Sequence, residues 1–581
     1  MSDKLQSGSP RLRESIARLE RYRQGKRRLD ARLYDEAMWW QSRHETAPAE
    51  GDSRRSGKPV SAWLFNSICN KHADLCDRMP VCTALPREPG DRADAALLSA
   101  VLPVVAARCR LKKTYSDNAW IKLRHGTAVY GVFWNPALEN GIGDIDIRRV
   151  DILNLFWEPG VTDIQDSPHL YLVGLEDRAA LESRYPVLAE AVRQGRLDPD
   201  STPADGASLL GSGGSYLLRE RDGCPEKYTV VDWYYRKALP DGRTVLHYAK
   251  YVGDILLYAS ENDPACAERG WYDHGLYPFV PDVLFPEADS PAGYGLIAVG
   301  RNPQGYIDEL DGHILEYANW ASRVRYWAKR SLGINEKEFL DPDRRIIQVE
   351  GDMDEEKLRQ ITLSPMDGML SEVRQMKIEE LKETTGTRDV NQGMSGGVTA
   401  ASAITALQEA GDKSSRDCVS GSYRAYVAVM EQVVELIRQF YTGTRCFRIA
   451  GDGGWKYIRY SNRGLRDRVT GTDAAGNPLR RRPVFDIDVR AERENPLDRA
   501  GRNELMLSLF RAGMFDPDRR AAAALAPSVL LPARFAHAGG VHAQPGERLL
   551  PLFPADCGHG LPIDRLCPAA KRKLKPTARF P

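Results

Sequence analysis

The sequence has 581 residues, of which 42% are hydrophobic and 28% are charged, a composition typical of a soluble globular protein and not of a disordered chain. No stretch approaches the roughly 18 consecutive apolar residues of a membrane span, and the charged N-terminal segment argues against a secretory signal peptide. The net charge of +1 indicates that any bound DNA is held weakly, because a tight grip on many phosphates usually requires a basic excess. The ten cysteines lack paired spacing, which favours reduced thiols in a cytosol.

The first half of the chain alternates between helical and strand patterns. Amphipathic helices are predicted from Pro10 to about Glu50 and within SAWLFNSICNKHADLCDRMP, because apolar residues recur there at steps of three or four. The apolar stripe of the latter segment consists of Leu64, Ile68, Leu75 and Met79. After a further helix, DNAWIKLRHG, two strands flank an Asn-Pro turn and the Gly-rich ENGIGD connection. Strand patterns recur in KYTVVDWYYRK and RTVLHYAKYVGDILLYASE, so a β-rich module is predicted up to about Pro286.

The second half begins with a different period. Apolar residues at steps of three or four predict a helix of about 25 residues from Tyr306 to Arg330. A short strand is predicted within FLDPDRRIIQVEGD, followed by a helix from Ser364 to Gly386 that ends at a glycine C-cap. The Gly-rich stretch TTGTRDVNQGMSGGVTA then leads into a longer helix, in which Gly411 and Gly421 are expected to permit bends.

This order of elements resembles the tailed-bacteriophage portal proteins. In that family a stem helix, a small β clip, a second stem helix, a tunnel loop and a long helix follow one another. The segment YGVFWNPALENGIGDIDIRRVDILNLFWEPGVTDIQD is similar to the wing, and GLYPFVPDVLFPEADSPAGYGLIAVGRNPQGYIDELD to the approach to the first stem helix. The segment FDIDVRAERENPLDRAGRNELMLSLFRAGMFDP resembles the strand and crown-side helix after the long helix. The resemblance spans about Leu64 to Pro517.

The resemblance implies an α+β subunit of a portal-like ring, with a wing, a helical stem, a small β clip and a long kinked helix directed toward a crown. The N-terminal helical part of the wing is assigned to residues 1–112, the β-rich wing to 113–300, the first stem helix to 301–331 and the clip to 332–364. The second stem helix is assigned to residues 365–385, the tunnel loop to 386–399, the long helix to 400–442 and the β return with its crown-side helix to 443–520.

The resemblance also implies a function. About twelve copies would form a ring at one capsid vertex, through which double-stranded DNA passes without sequence specificity during packaging and ejection. The implied partners are a terminase motor, a major capsid or scaffold protein and a head-completion or tail adaptor protein, with no membrane. The implied location is the virion, after assembly in the host cytoplasm. No catalytic residue, metal or cofactor is expected.

Two sets of residues are expected to make contacts. The tunnel loop would meet the DNA, since its glycines admit backbone conformations that a moving loop needs; its expected contact residues are Arg388, Asp389, Gly393, Gly396 and Gly397. The clip would dock partners through a charged strand edge; its expected contact residues are Arg344, Arg345, Glu350 and Asp352. A plain interhelical linker is the alternative for the loop.

The predicted stem helices carry charges of both signs. The first is expected to place Asp308, Glu309 and Glu316 beside Arg323 and Arg325. The second is expected to place Glu372, Glu379, Glu380 and Glu383 beside Arg374, Lys377 and Lys382. Such mixed charge suits a channel wall that does not grip the phosphates of DNA, and it is also typical of an ordinary solvated helix face.

Enzyme functions have weaker support. The nearest phrase to a phosphate-binding loop, RRSGKPV, lacks the first glycine and the Ser or Thr of that motif. A zinc site of Cys69, His72, Cys76 and Cys82 competes with simple core packing of the same helix face.

A magnesium site is the other catalytic hypothesis. The carboxylates of Asp144, Asp146 and Asp151 lie close enough in sequence to hold Mg²⁺, but the first two are also expected on the exposed face of a half-buried strand. The alternatives to a portal are therefore a metal-dependent nucleic-acid-processing enzyme and a capsid or scaffold interaction protein without a channel.

The segment from residue 521 to 581 departs from the family pattern. It contains nine prolines in 61 residues and shows no sustained helical or strand period. A shifted reading frame of a GC-rich gene would yield such a composition, so we interpret this segment as an irregular, aberrant end and its KRKLK cluster as a chance feature. Resequencing the gene around Arg520 tests this interpretation.

Overall fold

A computed structural model divides the chain into two compact units, residues 1–514 and 515–581. The residues that the structure describes all belong to the first unit. They are residues 4–44, 60–195, 227–322, 325–328, 358–361, 365–366, 368–386, 413–451, 454–472 and 478–493. The interpretations given above for the segment 521–581 and for the crown-side helix lie outside these residues.

Nine α-helices occur in the described residues, and most of them follow the apolar periodicity of the sequence. They are α1 (Pro10–His44), α2 (Trp63–Asp77), α3 (Arg92–Arg108), α4 (Leu111–His125), α5 (Arg178–Arg184), α6 (Pro186–Arg193), α7 (Leu296–Ser322), α8 (Met369–Thr385) and α9 (Lys413–Phe440). None of these helices is both long enough and apolar enough to cross a membrane. The glycine C-cap predicted for α8 is confirmed, because Gly386 follows the helix in the left-handed conformation with φ at 66°.

The strands of the same residues pair in antiparallel ladders. Those of the first half are β1 (Arg78–Pro86), β2 (Thr127–Asn135), β3 (Asp144–Val150), β4 (Leu155–Phe156), β5 (His169–Asp177), β6 (Lys227–Ala238), β7 (Thr244–Val252), β8 (Ile255–Ala259), β9 (Phe279–Val283), β10 (Phe285–Pro286) and β11 (Gly293–Tyr294). Those of the second half are β12 (Arg325–Ala328), β13 (Leu358–Ile361), β14 (Arg445–Gly451), β15 (Gly454–Tyr460), β16 (Arg468–Thr472), β17 (Pro478–Arg481) and β18 (Phe485–Arg493).

Two larger sheets organise these strands. One has the order β3-β2-β9 and the other the order β4-β5-β6-β7-β8, while the remaining strands form pairs, including β1 with β18. The register of β2 with β3 places Asn135 opposite Asp144, so the ENGIGD connection closes a hairpin, as predicted. The valines, tyrosines and tryptophan of β6 suit a pleated surface that is buried over most of its length.

The main hydrophobic core lies between helices and the three-stranded sheet. It joins Leu98 of α3, Tyr115 of α4, Val132 of β2 and Val433 of α9. A second core forms where α1 lies on the five-stranded sheet, with Leu12 among its buried residues. Because α9 enters the main core, the second half of the chain returns to pack against the first.

A buried polar network also fixes α9. The ammonium group of Lys122, fully buried in α4, lies 2.6 Å from the carboxylate of Asp282 and donates to the hydroxyl of Ser422 at 2.8 Å and to the carbonyl of Cys418 at 3.1 Å. A Cβ on Gly421 would lie 3.3 Å from this ammonium group. The glycine expected to permit a bend therefore lies inside a continuous helix, where it leaves room for the lysine.

The expected bounds of the first stem helix, 301–331, need correction. Helix α7 begins at Leu296 and ends at Ser322, and residues 325–328 form β12. The run VRYW after the helix is rich in β-branched and aromatic residues, which favours a strand and explains the early end. At the other end the helix continues through Pro303, because packing of Gly300 against Leu64 of α2 helps to outweigh the cost of a proline inside a helix.

Two smaller corrections concern the ends of other elements. Met79, expected on the apolar stripe of α2, lies in β1 instead. The strand predicted within FLDPDRRIIQVEGD lies outside the described residues, and the structure has a strand nearby at Leu358–Ile361.

Candidate functional site

Helices α7 and α8 form an antiparallel pair. Ile307 packs with Ile378 and Leu381 in one small hydrophobic cluster, and the carboxylate of Asp311 forms an ion pair with Arg374. As the residue number rises along α7, the number of its partner on α8 falls, which defines the antiparallel direction. Beyond Ile307, α7 buries no side chain among its described residues, so the buried part of the contact is centred on this cluster.

The N-terminal end of α2 anchors this pair. The side-chain oxygen of Gln304 accepts a hydrogen bond from the backbone N–H of Leu64 at 2.9 Å, and the carboxylate of Asp308 accepts one from the backbone N–H of Ser61 at 2.9 Å. Gln304 thus satisfies a backbone donor that the first turn of a helix leaves free, and Asp308 holds the residue two positions before the helix. The indole of Trp63 packs against the Ile307 cluster from the same end of α2.

The two ends of the segment 387–412 meet on α2. At one end, the hydroxyl of Thr385 in α8 donates to the hydroxyl of Ser67 at 3.2 Å. At the other, Lys71 donates to the hydroxyl of Ser415 in α9 at 2.8 Å, and that hydroxyl donates to Asp74 at 2.7 Å. Ser67 and Lys71 are about one helical turn apart, roughly 6 Å along the axis. The chain therefore leaves α8 and enters α9 beside the same stretch of α2.

A strand pair follows the other end of the two helices in the chain. Strand β12 comes after α7, and β13 precedes α8. The two strands pair with Arg325 opposite Ile361 and Ala328 opposite Leu358. An antiparallel pair of strands thus continues the antiparallel pair of helices. Of the two strands, β13 lies within the range expected for the clip, 332–364, whereas β12 lies in the range expected for the first stem helix.

The two helices are acidic. Between Tyr306 and Ser322 the sequence contains no Lys or Arg, whereas it contains Asp308, Glu309, Asp311 and Glu316. On α8, four glutamates outnumber three cations, and Lys377 is paired with Glu380 at 2.6 Å. The charge pattern expected for the first helix is wrong for Arg325, which belongs to β12; Arg323 lies outside the described residues. The change follows directly from the earlier end of the helix.

Large apolar side chains are exposed on the same two helices. They are Tyr306, Leu315, Trp320, Met369 and Met376, with exposed fractions from 45% to 62%. Monomeric proteins rarely expose large contiguous apolar patches, and such surfaces commonly contact other chains. The helix pair is therefore a candidate surface for assembly.

The predicted contact residues of the loop and the clip lie outside the described residues. This holds for Arg388, Asp389, Gly393, Gly396 and Gly397 and for Arg344, Arg345, Glu350 and Asp352. What the structure adds is the set of anchors on α2, none of which was predicted. No sequence signal marks them: Ser67 and Lys71 are two polar residues four positions apart on α2, and their burial becomes visible only in the structure.

The residues of the zinc hypothesis pack against neighbouring side chains. The imidazole of His72 stacks on the indole of Trp120 with ring centroids 4.3 Å apart, and its Nε2 lies 3.2 Å from the carbonyl oxygen of Ser116. Burial lowers the pKa of His72 and raises that of the Cys76 thiol. Over the described ranges, no group of three or more His, Cys, Asp and Glu side chains is placed to hold a metal ion.

Two of the three aspartates considered for Mg²⁺, Asp144 and Asp151, have structural partners. Asp144 is buried, contrary to the expected exposed position, and accepts hydrogen bonds from the hydroxyl of Tyr441 at 2.6 Å and from the backbone N–H of Ile145 at 2.9 Å. It links the end of α9 to β3, which explains its burial. Asp151 accepts a hydrogen bond from the backbone N–H of Leu153 at the start of a short 3₁₀ turn.

Comparison with known proteins gives one family. Residues 324–531 match the model of the phage P22-like portal protein family; this segment begins just after α7 and contains α8, α9 and the strands that follow. A search of curated proteins found no match. The match supports the resemblance predicted from the order of the elements: over residues 324–531 the chain is similar to the portal proteins of tailed bacteriophages.

Proposed function

We propose that this chain is the ring subunit of a DNA channel at one capsid vertex, through which the genome enters during packaging and leaves at ejection. The family match supports a portal function in general. The observation that carries the proposal further is the antiparallel pair α7/α8, which is anchored on α2 and continues into a strand pair. In this proposal α7 and α8 form the stem, and the segment from β12 to β13 forms the clip.

The charge of the stem suits the passage of DNA. Duplex DNA carries one phosphate per roughly 1.7 Å of its axis, and every charge on the channel wall recurs in each copy of the ring. A basic wall would hold the duplex, whereas the acidic side chains of α7 and α8 repel it. We therefore assign these helices a role in which DNA moves past without being bound tightly.

The loop between α8 and α9 is proposed to enter the channel. Its two ends are fixed beside one stretch of α2 by the hydrogen bonds of Thr385 and Ser415, so movement of the loop need not displace either helix. Within it, Arg388 would make a screened contact with passing phosphates. The segments on either side would stay in place while the loop follows the DNA.

The remaining parts of the proposal concern partners. Copies of the chain, about twelve in number, would assemble through the wing and the exposed apolar side chains of the stem. The clip would dock a terminase motor during packaging and a tail adaptor afterwards, and the capsid or scaffold protein would hold the ring in the virion. The chain itself would act as a structural protein and not as an enzyme, with the work of packaging done by the motor.

Electron microscopy of the purified protein tests the proposal. Rings with a central hole wide enough for duplex DNA are expected, because a ring subunit exposes surfaces that only its neighbours cover. A protein that stays monomeric at high concentration in moderate salt, or that forms closed shells, would overturn the channel. Cleavage of DNA that depends on a divalent metal would instead support the enzyme alternative.

A further inference from the structure

The hairpin of β14 and β15 lies in a basic stretch of a nearly neutral chain. Between Arg445 and Arg482 the sequence contains ten Lys or Arg residues against three Asp, while the whole chain has a net charge of +1. Several of these cations are neutralised: Arg445 lies 3.7 Å from Asp144, and Arg482 lies 3.1 Å from Asp467. Six others are exposed and form no ion pair within the described residues: Arg448, Lys456, Arg459, Arg463, Arg466 and Arg480.

One face of this hairpin combines arginines with aromatic rings. The register places Arg448 opposite Tyr457 and Cys446 opposite Arg459, and alternation along a strand puts these residues on the same face as Trp455. Trp455 and Tyr457 are 65% and 72% exposed, whereas Phe447 on the opposite face is buried in the main core. We call the set Arg448, Trp455, Tyr457 and Arg459 the hairpin face.

One arginine of the hairpin face is restrained before any partner binds. The guanidinium group of Arg448 lies over the indole of Trp455, 4.6 Å from the ring centroid. Stacking restrains the arginine and leaves its N–H groups free to donate sideways. A side chain that is already restrained loses less entropy on binding, which favours the interaction.

We infer that the hairpin face docks a short, extended, acidic segment of a partner protein. Guanidinium groups bind carboxylates through paired hydrogen bonds, so Arg448 and Arg459 would hold Asp or Glu side chains. The rings of Trp455 and Tyr457 would cover the aliphatic parts of the same segment. Trp, Tyr and Arg are also the residue types that contribute most to protein interfaces.

The composition of the face favours protein over nucleic acid. Paired bases of a duplex are stacked on one another and offer no face to Trp455 or Tyr457, so a surface for duplex DNA gains little from exposed rings. Only two cations share the face, whereas proteins that bind a duplex contact several phosphates. From Trp455 to Arg459 the strand spans about 13 Å, which corresponds to roughly four residues of an extended peptide. The inference depends on this face alone and does not rest on the proposed DNA channel.

Binding of labelled probes by the full chain tests the inference. The main probe is a short fluorescent peptide of Glu residues interrupted by single Leu residues; oligo(dT) and duplex DNA are the rival probes. The double variant Arg448→Glu/Arg459→Glu should weaken peptide binding about tenfold or more. The matched control is Arg463→Glu/Arg466→Glu, which changes the charge equally at exposed positions outside the face and should weaken binding less than about threefold.

A second variant distinguishes binding that needs the two aromatic rings from non-specific charge attraction. Trp455→Ala/Tyr457→Ala leaves the charge unchanged and should also weaken peptide binding about tenfold. The inference is overturned if this variant binds the peptide normally, or if the two charge variants lose affinity equally. Tighter, hairpin-dependent binding of oligo(dT) would also overturn it, in favour of a surface for single-stranded nucleic acid. Loss of self-association in the hairpin variants, with unchanged thermal unfolding, would overturn it in favour of a second copy of the chain.

Discussion

Helix α9 is largely buried in the main core, whereas the pair α7/α8 is largely exposed. Along α9, the side chains of Val429, Met430, Val433, Leu436 and Ile437 are all completely buried, and the buried ammonium group of Lys122 reaches the first half of the helix. The pair α7/α8 instead meets around Ile307 and leaves acidic and large apolar side chains exposed. The difference indicates that α9 is part of the folding unit, whereas α7 and α8 have surfaces left for other molecules.

The largest expected effect lies in the network around α9. Lys122→Met leaves the carboxylate of Asp282, 2% exposed, without its counter-charge, and breaking a buried ion pair from one side costs about 3–5 kcal/mol. The midpoint of thermal or denaturant unfolding, at fixed protein concentration, should fall accordingly. The control Lys377→Met removes an exposed pair on α8 and should cost less than about 1 kcal/mol.

The same network allows a sharper experiment. When both partners are replaced, as in Lys122→Met/Asp282→Asn, no buried charge remains unpaired, so part of the lost stability should return. Equal unfolding midpoints for Lys122→Met and Lys377→Met would mean that the buried network around α9 stabilises the fold no more than the exposed ion pair on α8 does.

The next effect concerns packing between α7 and α8. Leu381 is completely buried in the small cluster with Ile307 and Ile378, and Leu→Ala at such a site usually costs about 2–5 kcal/mol. Because α8 buries only Ile378, Leu381 and Thr385 among its described residues, the loss should be local: amide hydrogen exchange should accelerate in α8 by about 30-fold or more and change little in α9. Met376→Ala, at a position 62% exposed, should leave exchange unchanged. Equal acceleration in α9 would show that the stem and the core unfold together.

A smaller effect should appear on acidification, where α1 lies on the five-stranded sheet. Burial, together with the nearby Arg18 and Arg11, lowers the pKa of His169 to about 4; its Nε2 lies 2.6 Å from a guanidinium nitrogen of Arg18 in α1. In the unfolded chain the pKa is about 6.5, so between these values the unfolded state binds more protons. The contribution of His169 to stability is therefore complete above pH 6.5 and is lost as the pH falls toward 4.

The variant His169→Gln isolates this contribution. The difference in unfolding midpoint between wild type and variant should shrink or reverse as the pH falls from about 6.5 to about 4, because only the wild type loses stability by protonation at this position. The matched control is His313→Gln, at a histidine whose side chain is exposed on α7. Its difference from wild type should not change over this pH range. A constant difference across this pH range would show that protonation of His169 does not weaken the contact between α1 and the sheet.

The periodicity of the sequence predicted the helices and strands better than it predicted which of them pack together. The strands around ENGIGD and the C-cap of α8 at Gly386 depend on local preferences, and they were predicted correctly. The start of α7 was missed because a helix through Pro303 depends on packing against α2, which no local pattern contains. The exposed face assigned to Asp144 was wrong for the same reason, since the hydroxyl of Tyr441, far along the chain, donates a hydrogen bond to it.

The candidate site shows the same limit. The order of helix, strand, helix and loop indicated a resemblance to the portal proteins, which residues 324–531 also match, because each element has a local signal. The anchors on α2 could not be foreseen, since Ser67 and Lys71 bind residues more than 300 positions away. The residues expected to touch DNA or partners remain predictions, as they lie outside the described residues.

The smallest effect on stability is expected in the loop. If the segment around Arg388 enters the channel, Arg388→Ala should change the free energy of unfolding by no more than about 0.5 kcal/mol, as most exposed substitutions do. Its effect should appear in the amount of DNA retained per head late in packaging, when the confined genome pushes outward. Since a screened phosphate contact repeated around the ring is lost, the difference from wild type should shrink as salt rises.

A backbone variant of the same loop should have a stronger effect on retention. Replacing Gly396 and Gly397 by valine should reduce the DNA retained per head further than Arg388→Ala does, because β-branched residues restrict the backbone of a loop that must move. Intact rings with normal unfolding are the control for both variants. If both variants retain full genomes, the segment only links α8 to α9. The surfaces left for other molecules would then be those of α7 and α8 and would not include this loop.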